Sequence, residues 1–445
     1  MIKYLTNNSF VNLEKKLKKI KSYKNLKVFY LSFFKRFQKL NLKYRFATVI
    51  DFSYIKRQLK NINLKKKSIF FGIPFGVKDV FNTKFLKTEF GSILFKNFLP
   101  GNNARVVDII EEKQGIIFCK TTTAEFAVHY FPEKKTLNPF DSGRITGTSS
   151  AGSAVAVSCG ALPISLATQT AGSIIRPASF CGVIGFKPSF GAFDRTGVLK
   201  TVDTLDTVGL FASDIYILNK VFINLIQHSK QYPYSENFYL KKNKKKIKIA
   251  IISNNFKYYK NYDHVVKKNF DYFCNKYLKN FYVKNELKID FINQVHNYHE
   301  NIYCKSLAYY FSSLKKKKNM VSQIMNQMIE KGNKIDKKKY LQSLLAQEYL
   351  TKKFQLMMKD YDFLITPSTA SVAPRIGTVE KEDTSLIWSF FGAPAISLPI
   401  FLDEKTKLPF GLQIISSRYN DFSLLKFSEL IIKNLYNKNS TKITF

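Results

Sequence analysis

One run of small and apolar residues, from Gly147 to Gly191, constrains this chain more than any other stretch: GTSSAGSAVAVSCGALPISLATQTAGSIIRPASFCGVIGFKPSFG. It holds two serines 24 positions apart, Ser149 and Ser173, each in a turn of small residues. Between them AVAV and ISLAT read as helix and then strand. A flexible Gly/Ser linker would not alternate with such segments, because apolar segments offset the entropy of ordering only when packed in a core. The two serine turns are therefore held rigidly.

Charge invites a different first reading, since 71 Lys and Arg stand against 32 Asp and Glu. Its distribution decides the matter. Residues 121–200 carry a net charge of +3, whereas residues 241–320 carry +14. The excess sits away from the serine turns, and Lys dominates over Arg, with abundant Asn, Ile, Phe and Tyr. That pattern reads as solvated lysine-rich faces and compositional drift, not as a groove built to bind phosphate, so no nucleic-acid partner is expected.

The length of 445 residues allows two or three average domains, but mixed-sheet enzymes of this size also occur as one unit, and one large domain is the expectation. Cys119, Cys159, Cys181, Cys274 and Cys304 are odd in number and form no C-x-x-C pair, which points to neither a disulfide framework nor a zinc site. With a start, MIKYLTNNSF, that lacks an apolar signal core, this predicts a reducing cytoplasm. No apolar run reaches the length of about 18 needed to span a bilayer.

Residues 9–65 place Leu, Ile and Phe at helical spacing among lysines, predicting two to four amphipathic helices in an N-terminal layer, residues 1–65, that covers a sheet. SIFFGIPFGVKDV, residues 68–80, reads as an apolar strand that ends in Lys78 and Asp79. A lysine after so apolar a run is drawn out of water, unlike the many lysines in solvated runs. ARVVDIIEEKQGIIFCKTT reads as helix then strand, and TTTAEFAVHYF as a short helix and loop. After the core stretch come a helix (DIYILNKVFINLIQ), a polar connector at 230–245, the strand KIKIAIIS, and a lysine-rich helical excursion to about residue 360 with one expected strand, LKIDFI. DFLITPS, AISLPIF and FGLQIIS predict three closing strands. Strands before and after the lysine-rich region make it an excursion, residues 240–360, from one continuous sheet. The fold class is therefore α/β, a mixed, mostly central sheet with helices on both faces.

Several chemistries fail at the serine turns. GTSSAGSA lacks the Gly-Lys-Ser/Thr ending of a P-loop, and no G-x-S-x-G elbow is present. His129 alone lies near the core stretch, beside EFAV and YF, where packing explains it as well as catalysis does. One arrangement needs no histidine: a desolvated, neutral lysine accepts a proton from serine. Bringing a lysine pKa from about 10.4 to near 7 takes on the order of 4 kcal/mol, supplied by desolvation and hydrogen bonding. Lys78 is the lysine best placed for that treatment. The turn TQTAGS, residues 168–173, leaves backbone N–H groups unobstructed to converge on a developing oxyanion.

GVKD at 76–79, GTSSAGSA at 147–154 and QTAGSIIRPASFCGVIGFKPS at 169–189 together resemble the amidase signature family. KTTTAEFAV, LNPFD, DTLDTVGLF, GAPAISLPIF and PFGLQII extend the resemblance over roughly residues 66–225 and 360–435. It implies an amidase domain, residues 66–445, with a signature core at 66–225 and a return to the sheet at 361–445. It also implies roles: Lys78 the base, Ser149 the bridging serine with a cis peptide bond, Ser173 the nucleophile, and the backbone N–H groups of Thr170, Ala171, Gly172 and Ser173 the oxyanion hole. The implied activity is hydrolysis of an amide C–N bond through an acyl-serine. The implied partner is a small-molecule amide, and a homodimer is allowed; no metal or organic cofactor is expected, since the sequence shows neither metal-ligand spacing nor a nucleotide loop.

Thr148 and Ala151 stand where many members have glycine, and Gln169 and Ala171 replace the Asp and Gly of the commoner D-x-G-G-S form. The QTAGSIIRP form is similar to stand-alone amidases, which is the preferred expectation. The alternative within the family is the A subunit of a tRNA-dependent amidotransferase, which releases ammonia from glutamine. A non-catalytic basic binding protein is the alternative outside it. Ser150 and Ser153 are expected to be structural supports and Arg176 a buried partner of the turn. The region His129–Phe131 and the helix with Trp388, Phe390 and Phe391 are expected to line a pocket, although such aromatic spacing also suits a core.

Overall fold

Short apolar runs bounded by Gly and Pro become strands, and the amphipathic runs between them become helices that cover the sheet. The computed structural model describes residues 9–128, 136–226, 247–254, 256–279, 281–284 and 289–436. In chain order the strands are β1 (Ala47–Val49), β2 (Pro74–Lys78), β3 (Ile116–Thr121), β4 (Ile164–Gln169), β5 (Ile184–Lys187), β6 (Thr207–Ala212), β7 (Lys248–Ile251), β8 (Tyr282–Lys284), β9 (Phe363–Pro367), β10 (Ala395–Leu402) and β11 (Pro409–Ile415). Among the described residues these form one 11-stranded mixed sheet, ordered β1-β3-β2-β4-β6-β5-β10-β11-β9-β7-β8.

Three strands near one edge of the sheet position the serine stretch. β3, β2 and β4 are parallel neighbours, connected through the helices Arg105–Glu112 and Ala151–Ser158. Every residue of all three strands is buried. Burial on both faces is why they read as continuous apolar runs and not as alternating ones. Val77 of β2 pairs with Leu166 of β4, so Lys78 and the turn after Gln169 emerge at the same edge. In open α/β sheets that C-terminal edge is where ligands bind.

β6, β5, β10, β11 and β9 continue the sheet in antiparallel pairs, and β7 and β8 close it in parallel with β9. The chain thus leaves the sheet after β8 and returns at β9. The intervening segment forms the helices Val295–Tyr310, Gln323–Lys334 and Lys337–Met357.

The N-terminal region forms the helices Ser9–Lys19, Tyr23–Tyr44 and Phe52–Lys60, the second and third capped by Ser22 and Asp51. Tyr30 and Phe37 are buried against Phe118 of β3, with ring centroids 6.3 and 4.7 Å away. The strand β1 is too short at three residues to show a periodicity, yet it pairs with β3 and extends the sheet edge.

LKIDFI differs from its expected strand. Its described part enters a 3₁₀ turn, Asp290–Gln294, that leads into the helix Val295–Tyr310. Ile289, Ile292 and Val295 are buried at intervals of three, and that period wins over the alternation of Lys288 and Asp290 with apolar neighbours. The polar connector at 230–245 lies outside the described residues. No described helix is long and apolar enough to cross a membrane.

Candidate active site

Lys78 ends β2 with no exposure to solvent, and its amine meets two hydroxyls. Nζ lies 2.8 Å from Ser149 Oγ and 2.9 Å from Thr168 Oγ1. Burial pushes its pKa down to about 7, opposed by the charge of Asp206. Among the described residues Lys78 has no salt-bridge partner, and desolvation penalises its charged form.

Ser149 lies in the turn that precedes the helix Ala151–Ser158, and its peptide bond with Thr148 is cis. Ser150 of that turn and Ser153 of the helix anchor it to β4. Ser150 Oγ donates to the Thr168 carbonyl at 3.1 Å and Ser153 Oγ to the Leu166 carbonyl at 2.9 Å. Gly152 allows a close approach on the other side, since a Cβ there would stand 2.4 Å from the Phe46 carbonyl oxygen. So fixed, Ser149 Oγ lies 3.2 Å from Ser173 Oγ. The structure thus brings Lys78, Ser149 and Ser173 together in one hydrogen-bonded chain.

The turn from Thr170 to Ser173 connects β4 to the helix Ile175–Cys181. Gln169 caps that helix: its Oε1 accepts from the N–H groups of Ile174 and Ile175 at 2.8 and 3.0 Å. Its Nε2 reaches the helix Ser385–Phe390, 3.1 Å from Ser389 Oγ and 3.3 Å from the Ser385 carbonyl. An aspartate could cap but could not donate. Thr170 Oγ1 donates to Asp206 at 2.7 Å, and Thr201 donates to the same carboxylate. Among the described residues the N–H groups of Ala171, Gly172 and Ser173 donate no hydrogen bond, which leaves them free to meet a ligand.

Arg176 is the buried partner of this turn. Its Nε lies 2.8 Å from Asp383 Oδ2 and its NH1 3.4 Å from Glu380 Oε2. Trp388, Phe390 and Phe391 are at most 1% exposed and pack as core, with Phe354 stacked on Phe391, which corrects the expectation that they line a pocket. His129, Tyr130 and Phe131 lie outside the described residues. A cavity of about 350 Å³ opens beside the site instead, lined in part by Val80, Thr168, Thr170, Arg195, Thr201 and Asp206.

Sequence reasoning missed Thr168, His299 and Ser389. Thr168 sits inside the recognised turn, and its nearness to Lys78 follows only from the pairing of β2 with β4. His299 Nε2 lies 3.1 Å from the Thr170 carbonyl, contributed by a helix 129 residues away. A lone histidine or serine at such a distance carries no local signal.

The chain is similar to known proteins in sequence and in fold. The A subunit of the glutamyl-tRNA(Gln) amidotransferase of Syntrophomonas wolfei is 40% identical over 151 residues, which are 32% of this chain and 30% of that protein. Its counterpart in Clostridium botulinum strain Kyoto is 30% identical over 416 residues, 81% of this chain and 82% of that protein. A solved structure of an amidase superposes with a TM-score of 0.79 at 24% identity, over 92% of this chain and 95% of that one, and so shares the fold. Both of these curated relatives carry the amidotransferase name. A family profile described as Amidase matches residues 30–425, and the chain belongs to the amidase family.

Proposed function

We propose that this protein cleaves an amide bond through an acyl-Ser173 intermediate, and that the amide is the side chain of glutamine. In this proposal it acts as the A subunit of a glutamyl-tRNA(Gln) amidotransferase. The observation that carries the chemistry is the path of 2.8 and 3.2 Å from a fully buried lysine amine through Ser149 to Ser173. Support for glutamine comes from the relative that matches across 82% of its own length.

Neutral Lys78 offers its lone pair to the Ser149 proton while Ser149 takes the proton of Ser173, whose Oγ bonds to the amide carbon. The N–H groups of Thr170, Ala171, Gly172 and Ser173 hold the oxyanion; one such donor is worth roughly 3 to 4 kcal/mol. The relay then runs backwards, the C–N bond breaks, and ammonia departs with the returned proton. Water adds to the acyl ester along the same relay and releases glutamate with Ser173 restored. Overall, glutamine and water give glutamate and ammonia.

A stand-alone amidase is the second reading, supported by the resemblance of the QTAGSIIRP stretch to that subgroup. Glutaminase activity that requires co-expressed partner subunits and charged tRNA supports the first reading. Turnover of small aliphatic or aryl amides by the isolated chain, with glutamine inert, supports the second. Retention of either activity in Ser173→Ala would contradict the acyl-Ser173 step, and a wild type that turns over neither substrate would leave a binding protein.

A further inference from the structure

We propose that His299 and Ser389 are positioning residues that aim the N–H groups of the Thr170–Ser173 turn; this rests on Ser173 being the nucleophile. Three consecutive carbonyls of the turn are each held from outside. His299 Nε2 lies 3.1 Å from Thr170 O, Ser389 Oγ donates to Ala171 O at 2.9 Å, and the Arg176 N–H donates to Gly172 O at 3.0 Å. These peptides are trans, since the Thr148–Ser149 bond is the cis one among the described residues. In a planar trans peptide the carbonyl and the following N–H point in opposite directions. Holding the oxygen of Thr170 therefore turns the N–H of Ala171 away from His299, and holding that of Ala171 turns the N–H of Gly172 away from Ser389. These are N–H groups that the described residues leave undonated.

The directions of the supporting hydrogen bonds are fixed. Gln169 Nε2 donates to Ser389 Oγ at 3.1 Å, which leaves the serine proton for Ala171 O. His299 faces a carbonyl oxygen, so its Nε2 carries the hydrogen. Burial keeps that imidazole neutral, its pKa pushed down to about 4 against the pull of the Thr170 carbonyl. Neither residue reaches the nucleophile's hydroxyl. The lysine-rich excursion and the helix Ser385–Phe390 thus do more than cover the sheet, since each contributes one hold on the turn.

A fluorophosphonate probe reads this without knowledge of the substrate. Ser173 Oγ bonds to phosphorus as the P–F bond breaks, fluoride leaves, and the hydroxyl proton passes into the relay, while the phosphoryl oxygen occupies the oxyanion site. The maximal labelling rate and the probe's half-saturation would be measured for the full chain and for His299→Leu, His299→Gln, Ser389→Ala and Ser173→Ala, with melting curves to confirm folding. His299→Leu and Ser389→Ala are expected to lower the maximal rate by about tenfold or more with half-saturation within about twofold. His299→Gln, whose amide can donate, is expected to recover most of the loss. Wild-type maximal rates in the folded Leu and Ala variants, a change confined to half-saturation, or equal losses for Leu and Gln would overturn the proposal. Should His299→Leu not fold, Ser389→Ala decides alone. Undiminished labelling of Ser173→Ala would instead bring down the nucleophile assignment, and this proposal with it.

Discussion

Lys78 Nζ stands 2.8 Å from Ser149 Oγ, and its second acceptor, Thr168, is also a neutral hydroxyl. With the side chain fully buried and its pKa lowered to about 7, the neutral base becomes the major form just above neutrality. On the proposed mechanism kcat/KM therefore rises about tenfold per pH unit below pH 7 and levels off above it. Asp206 raises that pKa through its charge, so Asp206→Asn is expected to move the rising limb to lower pH. A pH–rate profile of both proteins checks the position and the direction.

The same burial has a stability signature. In the unfolded chain Lys78 holds its proton up to its ordinary pKa, and in the folded chain only up to about 7. Between these values the unfolded state binds the extra proton, so the cost of burying the lysine is largest below pH 7 and falls as pH rises. That cost is on the order of 5 kcal/mol at its maximum. Lys78→Met is expected to be inactive yet more stable than the wild type, by a margin that shrinks from pH 7 to pH 10. Urea unfolding at both pH values tests it, and a margin that grows with pH would contradict it.

Gly172 is pressed against the helix Ser385–Phe390: a Cβ there would lie 2.5 Å from Ser385 Oγ and 3.1 Å from Arg176 Nε. Gly172→Ala must push the turn away from its supports, and a displacement of about 1 Å is enough to lower kcat about a hundredfold. Ser385→Ala in the same chain removes the nearer atom and is expected to recover part of the rate. Steady-state kinetics of the single and double variants would show it.

Arg176 and Asp383 form a buried ion pair, with Ser385 also donating to the carboxylate. Arg176→Met strands a buried negative charge, for which a loss of about 3 kcal/mol or more is expected. Adding Asp383→Asn removes that charge and should return part of the stability, which a double-mutant cycle in urea would measure.

Legibility in the sequence followed distance along the chain. Lys78 stood out because an apolar run precedes it, and Ser149 and Ser173 because small residues flank them inside buried segments. The strands β2, β3 and β4 were legible for the same reason, as strands buried on both faces leave unbroken apolar runs. His299 and Ser389 were not, because their meaning arises only when the chain returns to the turn from 129 and 218 residues away. LKIDFI misled because alternation over six residues cannot be told from a three-residue period until its neighbour Val295 is known to be buried. Trp388, Phe390 and Phe391 were legible as apolar but not as core or pocket, since that depends on what faces them.

The most direct test of the central claim is to quench the protein in acid during turnover of an amide substrate and locate any added mass by peptide mapping. The expected result is an acyl group on Ser173, lost in Ser173→Ala and formed far more slowly in Ser149→Ala and Lys78→Met. Full turnover by Ser173→Ala, or an acyl group on another residue, would contradict it.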